Sequence, residues 1–122
     1  MTTFHIITIF PEAIRFYFES SILKRAQNKG LIKIKFYNPR DYTPDKHHKA
    51  APAIATRRRC GRVDDKPFGG GPGMVMMIEP IIKTISKIKS QISNVKIILL
   101  TPAGKQFTQK IARDYAKKFR HI

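Results

Sequence analysis

Hydrophobic and polar residues follow each other along the chain in blocks that predict three strands and three helices. Residues 4–10 are mostly apolar and β-branched, as in a buried strand. Residues 31–37 alternate Ile or Phe with Lys, as in a strand with one solvent-facing side. Residues 95–100 form a short apolar block typical of an interior strand. Three apolar stripes at helical spacing complete the pattern: Ile14, Phe18, Ile22 and Ala26 after Pro11; Ile78, Ile81, Ile82, Ile85 and Ile92; and Phe107, Ile111 and Tyr115.

The predicted order is β-α-β-loop-α-β-α, which favours an α/β layer with a largely parallel sheet. Residues 38–76 have little periodicity, and so long an irregular stretch is usually functional or mobile. We expect the last helix to run to the end of the chain (FRHI), with no strand after it. The sheet would then be short and would expose an unpaired edge.

The charge of the chain adds a candidate partner. With 24 Lys and Arg against 8 Asp and Glu, the net charge of +16 attracts polyanions such as RNA. A lineage bias towards Lys and Ile codons explains the charge equally well, so charge alone leaves RNA binding open. The single cysteine, Cys60, allows no intrachain disulfide. Together with a start that lacks a basic leader and a sequence without a run of about 20 apolar residues, this predicts a cytoplasmic protein outside the membrane.

The segment Gly69–Met74 (GGGPGM) lies just before a predicted helix. Glycines let a backbone approach a ligand closely and present N–H groups to an anion. No GK[ST] follows, so this is not a Walker loop, and Met74 and Met76 break a GxGxxG pattern. On chemistry alone, a plain flexible turn is the better interpretation.

Four further clusters have both a functional and an ordinary interpretation. Leu99–Pro102 ends a predicted strand, where open α/β sheets bind ligands, yet on these residues alone an ordinary turn is the better interpretation. Asp64 and Asp65 are adjacent carboxylates, which we interpret as solvated or loop-ordering rather than catalytic. Asp45, His47 and His48 have no partner at metal-ligand spacing, which favours a basic surface cluster. The arginines of residues 57–62 could bind phosphates or could be a solvated insertion.

Six segments taken in order resemble one family: the bacterial tRNA (guanine-N1)-methyltransferases of the SPOUT, or trefoil-knot, class. Outside residues 50–62 the resemblance covers nearly the whole chain, and its longest string is highly specific. The segments are ITIFPE at 7–12, KGLI at 29–32, NPRDYTPDKHH at 38–48, VDDKPFGGGPGMVM at 63–76, EP at 79–80 and LLTPAGK at 99–105.

The resemblance implies a fold and an activity. Residues 1–122 would form an incomplete amino-terminal SPOUT domain, with three mostly parallel strands and helices, ending before the trefoil knot. The carboxyl-terminal tRNA-binding domain would be absent. The family transfers a methyl group from S-adenosylmethionine to N1 of the guanine that follows the tRNA anticodon. Its members are homodimers, so tRNA and a second copy are the implied partners.

The resemblance also implies which residues form the site. Leu99, Leu100, Thr101 and Pro102 match a segment that lines the adenine and ribose of the methyl donor. Pro72 and Gly73 match a loop near the target base, and Asp64 and Asp65 match a loop segment beside the substrate. No catalytic residue and no metal ligand carry over, because the proposed general base lies in the missing part.

Residues 50–62 (AAPAIATRRRCGR) interrupt the family pattern with four Arg and no Lys, and we interpret them as an insertion. Because the resemblance ends before the knot and the carboxyl-terminal domain, we expect a fragment that is inactive by itself. Two alternatives stay open: a small basic RNA-binding module without catalysis, and one half of a split enzyme whose other half is a separate chain.

Overall fold

The computed structural model describes residues 1–43 and 61–122. Its centre is a parallel pair of strands joined by two helices, so the predicted class, α/β with parallel strands, is confirmed. The elements are β1 (Thr2–Ile7), α1 (Pro11–Phe18), α2 (Ser21–Asn28), β2 (Ile32–Tyr37), a 3-10 helix (Pro39–Tyr42), β3 (Asp64–Asp65), β4 (Val75–Met76), α3 (Ile78–Gln91) and α4 (Gln109–Lys118).

The first two predicted strands form with the expected faces. In β2, Lys33 and Lys35 are exposed, while the alternate apolar residues are half-buried, which confirms the predicted alternation. The first strand ends earlier than predicted, at Ile7. The chain turns immediately afterwards because the Phe10 amide donates a 3.1 Å hydrogen bond to Thr8 Oγ1, and Pro11 then starts α1.

The single helical stripe predicted from Ile14 to Ala26 is wrong, because the structure has two helices there. α1 ends at Phe18, and the hydroxyl of Ser20 donates a 2.8 Å bond to the carbonyl of Tyr17. Ser21 has a φ of 48°, which is incompatible with a continuous α-helix. A serine that bonds the preceding turn competes with helix continuation. Ile22 consequently leaves the buried stripe and is 74% exposed.

Gly30 ends α2, as the sequence predicts. Its amide bonds the carbonyl of Gln27 at 2.9 Å, and the Leu31 amide bonds the carbonyl of Ala26 at 3.0 Å. This pair of bonds is a Schellman motif, which needs a left-handed residue at the position of Gly30. The φ of Gly30 is 67°, so a glycine suits the position, and β2 follows directly.

The predicted irregular stretch 38–76 contains more regular structure than expected. Asn38 Oδ1 accepts the amide of Arg40 at 3.0 Å and starts the 3-10 helix. The strands β3 and β4 pair antiparallel, with Asp64 opposite Met76 and Asp65 opposite Val75. These short elements depend on pairing and capping, which leave no periodicity in the sequence. Residues 44–60 lie outside the described residues.

The carboxyl-terminal third corrects two predictions. Of the predicted strand 95–100, only Val95 pairs, through an isolated parallel bridge to His121, and Leu99 and Leu100 are 82% and 89% exposed rather than interior. The last helix ends at Lys118, and residues 120–122 then run parallel to β1, with Thr3 bridged to His121. Val95 pairs because His121 lies beside it, and each strand residue needs such a neighbour for its backbone bonds.

The helix predicted over residues 77–92 is confirmed by α3, which spans Ile78–Gln91. Several of the best-buried residues lie on one face of this helix. Pro80, Thr84 and Ile88 form its buried face and meet the 3-10 helix and Val63. The isoleucine stripe was expected to be buried, yet Ile78 and Ile82 are exposed because the contact lies one face further round. At 14 residues α3 is the longest helix described, and no helix in the described ranges is long and apolar enough to cross a bilayer.

Candidate functional site

The glycine-rich segment forms the tip of a hairpin, which we call the glycine hairpin (residues 64–76). Its base is anchored below the strands, where Val63 is buried and its carbonyl accepts the amide of Met77 at 2.7 Å. The tip contains one tight turn, with the amide of Gly70 bonded to the carbonyl of Pro67 at 3.2 Å. A rigid base thus carries an exposed tip.

The glycines of the tip adopt backbone conformations that other residues rarely take. Gly69, Gly70, Gly71 and Gly73 have φ values of 79°, 82°, 116° and 93°, and no heavy atom lies within 4 Å of where their Cβ atoms would be. The requirement for glycine is therefore conformational and does not come from crowding. The four glycines carry no side chains, which leaves their backbone groups open to a ligand.

The two predicted carboxylates lie in β3 and have different roles. Asp65 Oδ1 accepts the amide of Lys66 at 2.8 Å and lies 3.5 Å from Arg62 Nη2. Arg62 Nε also donates a 2.8 Å bond to the carbonyl of Asp64. Asp65 therefore orders the entry to the hairpin, as the loop-ordering interpretation expects. The Asp64 side chain is half-buried at the same edge.

The second candidate segment, residues 99–102, is an exposed turn. The Thr101 carbonyl accepts the amide of Gly104 at 3.1 Å, and its Oγ1 accepts the amide of Ala103 at 3.4 Å. These bonds fix the turn after Pro102, while the side chains of Leu99 and Leu100 stay open to solvent. The segment thus presents an apolar surface on an ordered backbone.

Within the described ranges, no hydrogen bond or ion pair joins the glycine hairpin to residues 99–102. The two candidate segments are therefore ordered separately. No group of three or more His, Cys, Asp or Glu side chains in those ranges could hold a metal ion. The cluster of Asp45, His47 and His48, and the arginines at 57–59, lie outside the described residues.

An open apolar cavity of about 280 Å³ lies between the sheet and α4. None of the predicted site residues lines it. Its walls are Thr2, Phe4, Ile32, Ile98, Phe107, Ala112, Tyr115, Ala116 and Ile122. With hardly a polar atom in its lining, the cavity offers apolar contact but no group that would orient a substrate.

The residues that flank the segment 44–60 lie against each other. Arg40 Nη1 donates a 3.3 Å bond to the carbonyl of Gly61, and Gly61 is packed against Thr43. The two described residues that border this segment, Thr43 and Gly61, are therefore close together. An insertion between such neighbours costs little in closure entropy, about 0.6 kcal/mol for each doubling of loop length. This geometry is compatible with the predicted insertion 50–62, of which only Gly61 and Arg62 are described.

One cluster was not predicted from the sequence. His5 of β1 contacts Tyr37 of β2 and His121 near the end of the chain, through bonds of 3.0 and 3.3 Å. Burial, then His121 and Lys35, lowers the pKa of His5. No sequence pattern indicates this cluster, since residues 119–122 were expected to be helical.

Comparison with known proteins identifies the family. The family model "tRNA (Guanine-1)-methyltransferase TrmD" matches residues 2–122. The chain belongs to this methyltransferase family. A tRNA (guanine-N(1)-)-methyltransferase of Dictyoglomus turgidum is 48% identical over 118 residues, and one of Carboxydothermus hydrogenoformans is 46% identical over 113 residues.

The fold agrees with a solved member of the methyltransferase family. The crystal structure of tRNA (m1G37) methyltransferase from Aquifex aeolicus matches with a TM-score of 0.77 at 29% identity, covering 99% of this chain and 48% of that one. This confirms the α/β fold of the predicted family. The Dictyoglomus match includes 97% of this chain but only 42% of that relative. The Carboxydothermus match includes 93% of this chain but only 39% of that relative. It thus spans about two fifths of the curated relatives that it matches.

Proposed function

We propose that the chain is the amino-terminal, donor-binding portion of a tRNA (guanine-N1)-methyltransferase. The whole enzyme would transfer a methyl group from S-adenosylmethionine to N1 of the guanine that follows the tRNA anticodon. The observation that carries the proposal is the string of residues 63–76, which is specific to the family and folds here into an ordered hairpin with an open tip. Membership of the methyltransferase family supports the same reaction.

Residues 99–102 would contribute one wall of the donor site. Leu99 and Leu100 offer apolar side chains to an adenine ring, and the turn at Thr101 and Pro102 would hold the backbone beside it. When bound, S-adenosylmethionine supplies an electrophilic methyl group. We expect residues 99–102 to supply one face of the donor site, and a second face to come from other parts of the whole enzyme.

The glycine hairpin would face the RNA. The positive-φ glycines on either side of Pro72, Gly71 and Gly73, would let a flat base approach the backbone, where a side chain at those two positions would hold it away. Asp64, at the base of the same hairpin, would lie beside the substrate, and Asp65 would keep the hairpin entry ordered. The large positive charge supports contact with tRNA phosphates.

We propose that the 122 residues alone do not turn over, because a donor held on one face lacks most of its binding energy. In the whole enzyme the expected partners are tRNA in the cytoplasm and a second copy of the chain. Exposed apolar side chains on α1, including Phe16 and Tyr17, support pairing with another polypeptide.

The experiment measures binding and transfer separately on the purified chain. Calorimetry with S-adenosylmethionine should give no micromolar binding, and incubation with donor and a tRNA transcript should give no 1-methylguanosine. A tRNA gel shift should appear at low salt and weaken as salt rises. Micromolar donor binding with methyl transfer would overturn the claim of inactivity, and the absence of any tRNA shift at low salt would overturn the RNA contact.

The net charge also favours a second candidate function, a basic RNA-binding module without catalysis. The two candidates differ once the rest of a relative is supplied. A donor-binding portion gains transfer activity when joined to the missing part, whereas a pure binding module gains none.

A further inference from the structure

Three side chains form a row across neighbouring parallel segments. The Tyr37 hydroxyl of β2 lies 3.0 Å from Nδ1 of His5 in β1, and Nε2 of His5 lies 3.3 Å from Nδ1 of His121. The ring centroids are 5.6 and 5.5 Å apart. Both nitrogens of His5 are thus engaged, one on each side.

The same residues hold the end of the described chain in place. The His5 amide donates a 2.7 Å bond to the carbonyl of Ile122, and the Ile122 amide donates a 3.0 Å bond to the carbonyl of Thr3. On the other side, the Lys96 amide bonds the carbonyl of His121 at 3.0 Å. Residues 120–122 therefore join β1 to the start of the 95–100 segment through a few backbone bonds only.

The two facing imidazole nitrogens can share one proton but not two. With one proton between them, one nitrogen donates and the other accepts. A second proton makes both nitrogens donors and sets two cations side by side, so the hydrogen bond is lost. Such a pair takes up its protons in two steps that belong to the pair.

The surroundings make the second proton costly. From β2, Lys35 adds positive charge and Tyr37 occupies the far nitrogen of His5. Burial and then Tyr42 of the 3-10 helix raise the pKa of Tyr37, so its hydroxyl stays neutral, and Lys87 of α3 lies 5.8 Å from the Tyr42 ring centroid. None of these groups supplies a negative charge to His5.

We propose that the row Tyr37–His5–His121 is a pH-sensitive latch. It holds residues 120–122 against β1 while at least one of the two imidazoles is neutral, and it releases them when both rings are protonated to imidazolium. The latch does not rest on the proposed enzymatic function, because every contact that it uses lies within this chain.

Amide hydrogen exchange followed by NMR tests the latch on the full chain. Between about pH 7.5 and about pH 5, the protection factor of the Ile122 amide, corrected for intrinsic exchange, should fall at least about tenfold, the effect expected from losing a hydrogen bond between charged and neutral side chains. Amides that bond across to β2, such as that of Thr8 just after β1, which donates to the carbonyl of Tyr37 at 3.0 Å, should keep their protection.

The variant His5→Gln keeps a polar side chain without a titrating ring and serves as the control. Its Ile122 protection should be independent of pH over the same range. If this variant does not fold, His121→Asn makes the same test from the other side of the pair. Unchanged Ile122 protection in the wild type, or an equal loss in the wild type and the variant, would overturn the proposal.

Discussion

Replacing Gly61 by alanine should destabilise the chain, because no space exists for the added methyl group. Gly61 is buried, and a Cβ there would collide with Thr43 Oγ1 and lie 2.6 Å from the carbonyl oxygen of Arg40 and 2.8 Å from Thr43 Cβ. The carbonyl is backbone, so a side-chain rotation cannot relieve the clash. The Thr43 hydroxyl also bonds that carbonyl at 3.0 Å, and this bond would be disturbed.

The expected loss of unfolding free energy is about 2–4 kcal/mol. Overpacking costs about 1–3 kcal/mol, and disturbing the hydrogen bonds of Arg40 and Thr43 adds about 1 kcal/mol. For a chain of this size, 1 kcal/mol corresponds to roughly 4 °C in Tm, so we expect a drop of roughly 8–16 °C. Since domains are stable by only about 5–15 kcal/mol, the effect is large.

Urea and thermal unfolding followed by circular dichroism measure this change. Gly104→Ala is the matched control, because its Cβ would meet the Thr101 carbonyl oxygen at 3.2 Å, a contact that a small shift relieves. We expect that control to cost less than about 1 kcal/mol. The double variant Gly61→Ala with Thr43→Gly removes part of the clash and should recover part of the lost stability.

Equal stability losses for Gly61→Ala and Gly104→Ala would refute the reasoning, because the two sites differ mainly in crowding. A double variant no more stable than Gly61→Ala would show that the clash with Thr43 is not the cause. Either result would mean that residues 40–43 and Gly61 are not packed as described.

Three further predictions concern packing, hairpin order and pH. Ile88→Ala should cost about 2–5 kcal/mol in urea unfolding because the side chain is only 4% exposed, whereas Ile82→Ala, at 52% exposed, should cost much less. Asp65→Ala should speed hydrogen exchange of the Lys66 amide, and an unchanged rate would contradict the 2.8 Å bond. Because the pKa of His5 is lowered, the unfolding free energy should fall as pH drops below about 6.5, and His5→Gln should reduce that slope.

Elements whose signal is local were predictable from the sequence. The Lys and Ile alternation of β2, the apolar spacing of α3 and the glycine at the end of α2 each depend on residues close in the chain. The break between α1 and α2 was missed, although its cause is local too. The helical spacing of apolar residues continues past Ser20, so it does not show that the hydroxyl of Ser20 bonds the preceding turn.

Features that depend on distant residues could not be predicted. Residues 95–100 have the composition of an interior strand, but a strand forms only where a neighbour pairs with it, and Val95 finds that neighbour in His121. The contact of His5 with His121 joins residues 116 positions apart, with no motif in either place.

The candidate site was found by resemblance rather than by chemistry. Residues 64–65 and 72–73 belong to one specific string, and the structure brings them into one hairpin. Leu99–Pro102 were expected beside an interior strand and are instead exposed. Their role in donor binding stays a prediction.

The most direct test of the proposed function joins this chain to the remainder of the Dictyoglomus turgidum relative, beyond the part that it matches, and measures 1-methylguanosine in a tRNA transcript by mass spectrometry. We predict that the chimera methylates the guanine after the anticodon and that the 122 residues alone do not. In the chimera, Leu100→Asp should lower the affinity for the donor, whereas the control Leu31→Asp should leave it unchanged. The proposed function would be contradicted by a folded chimera that binds tRNA yet transfers no methyl group, both with residues 50–60 of the predicted insertion present and with them removed.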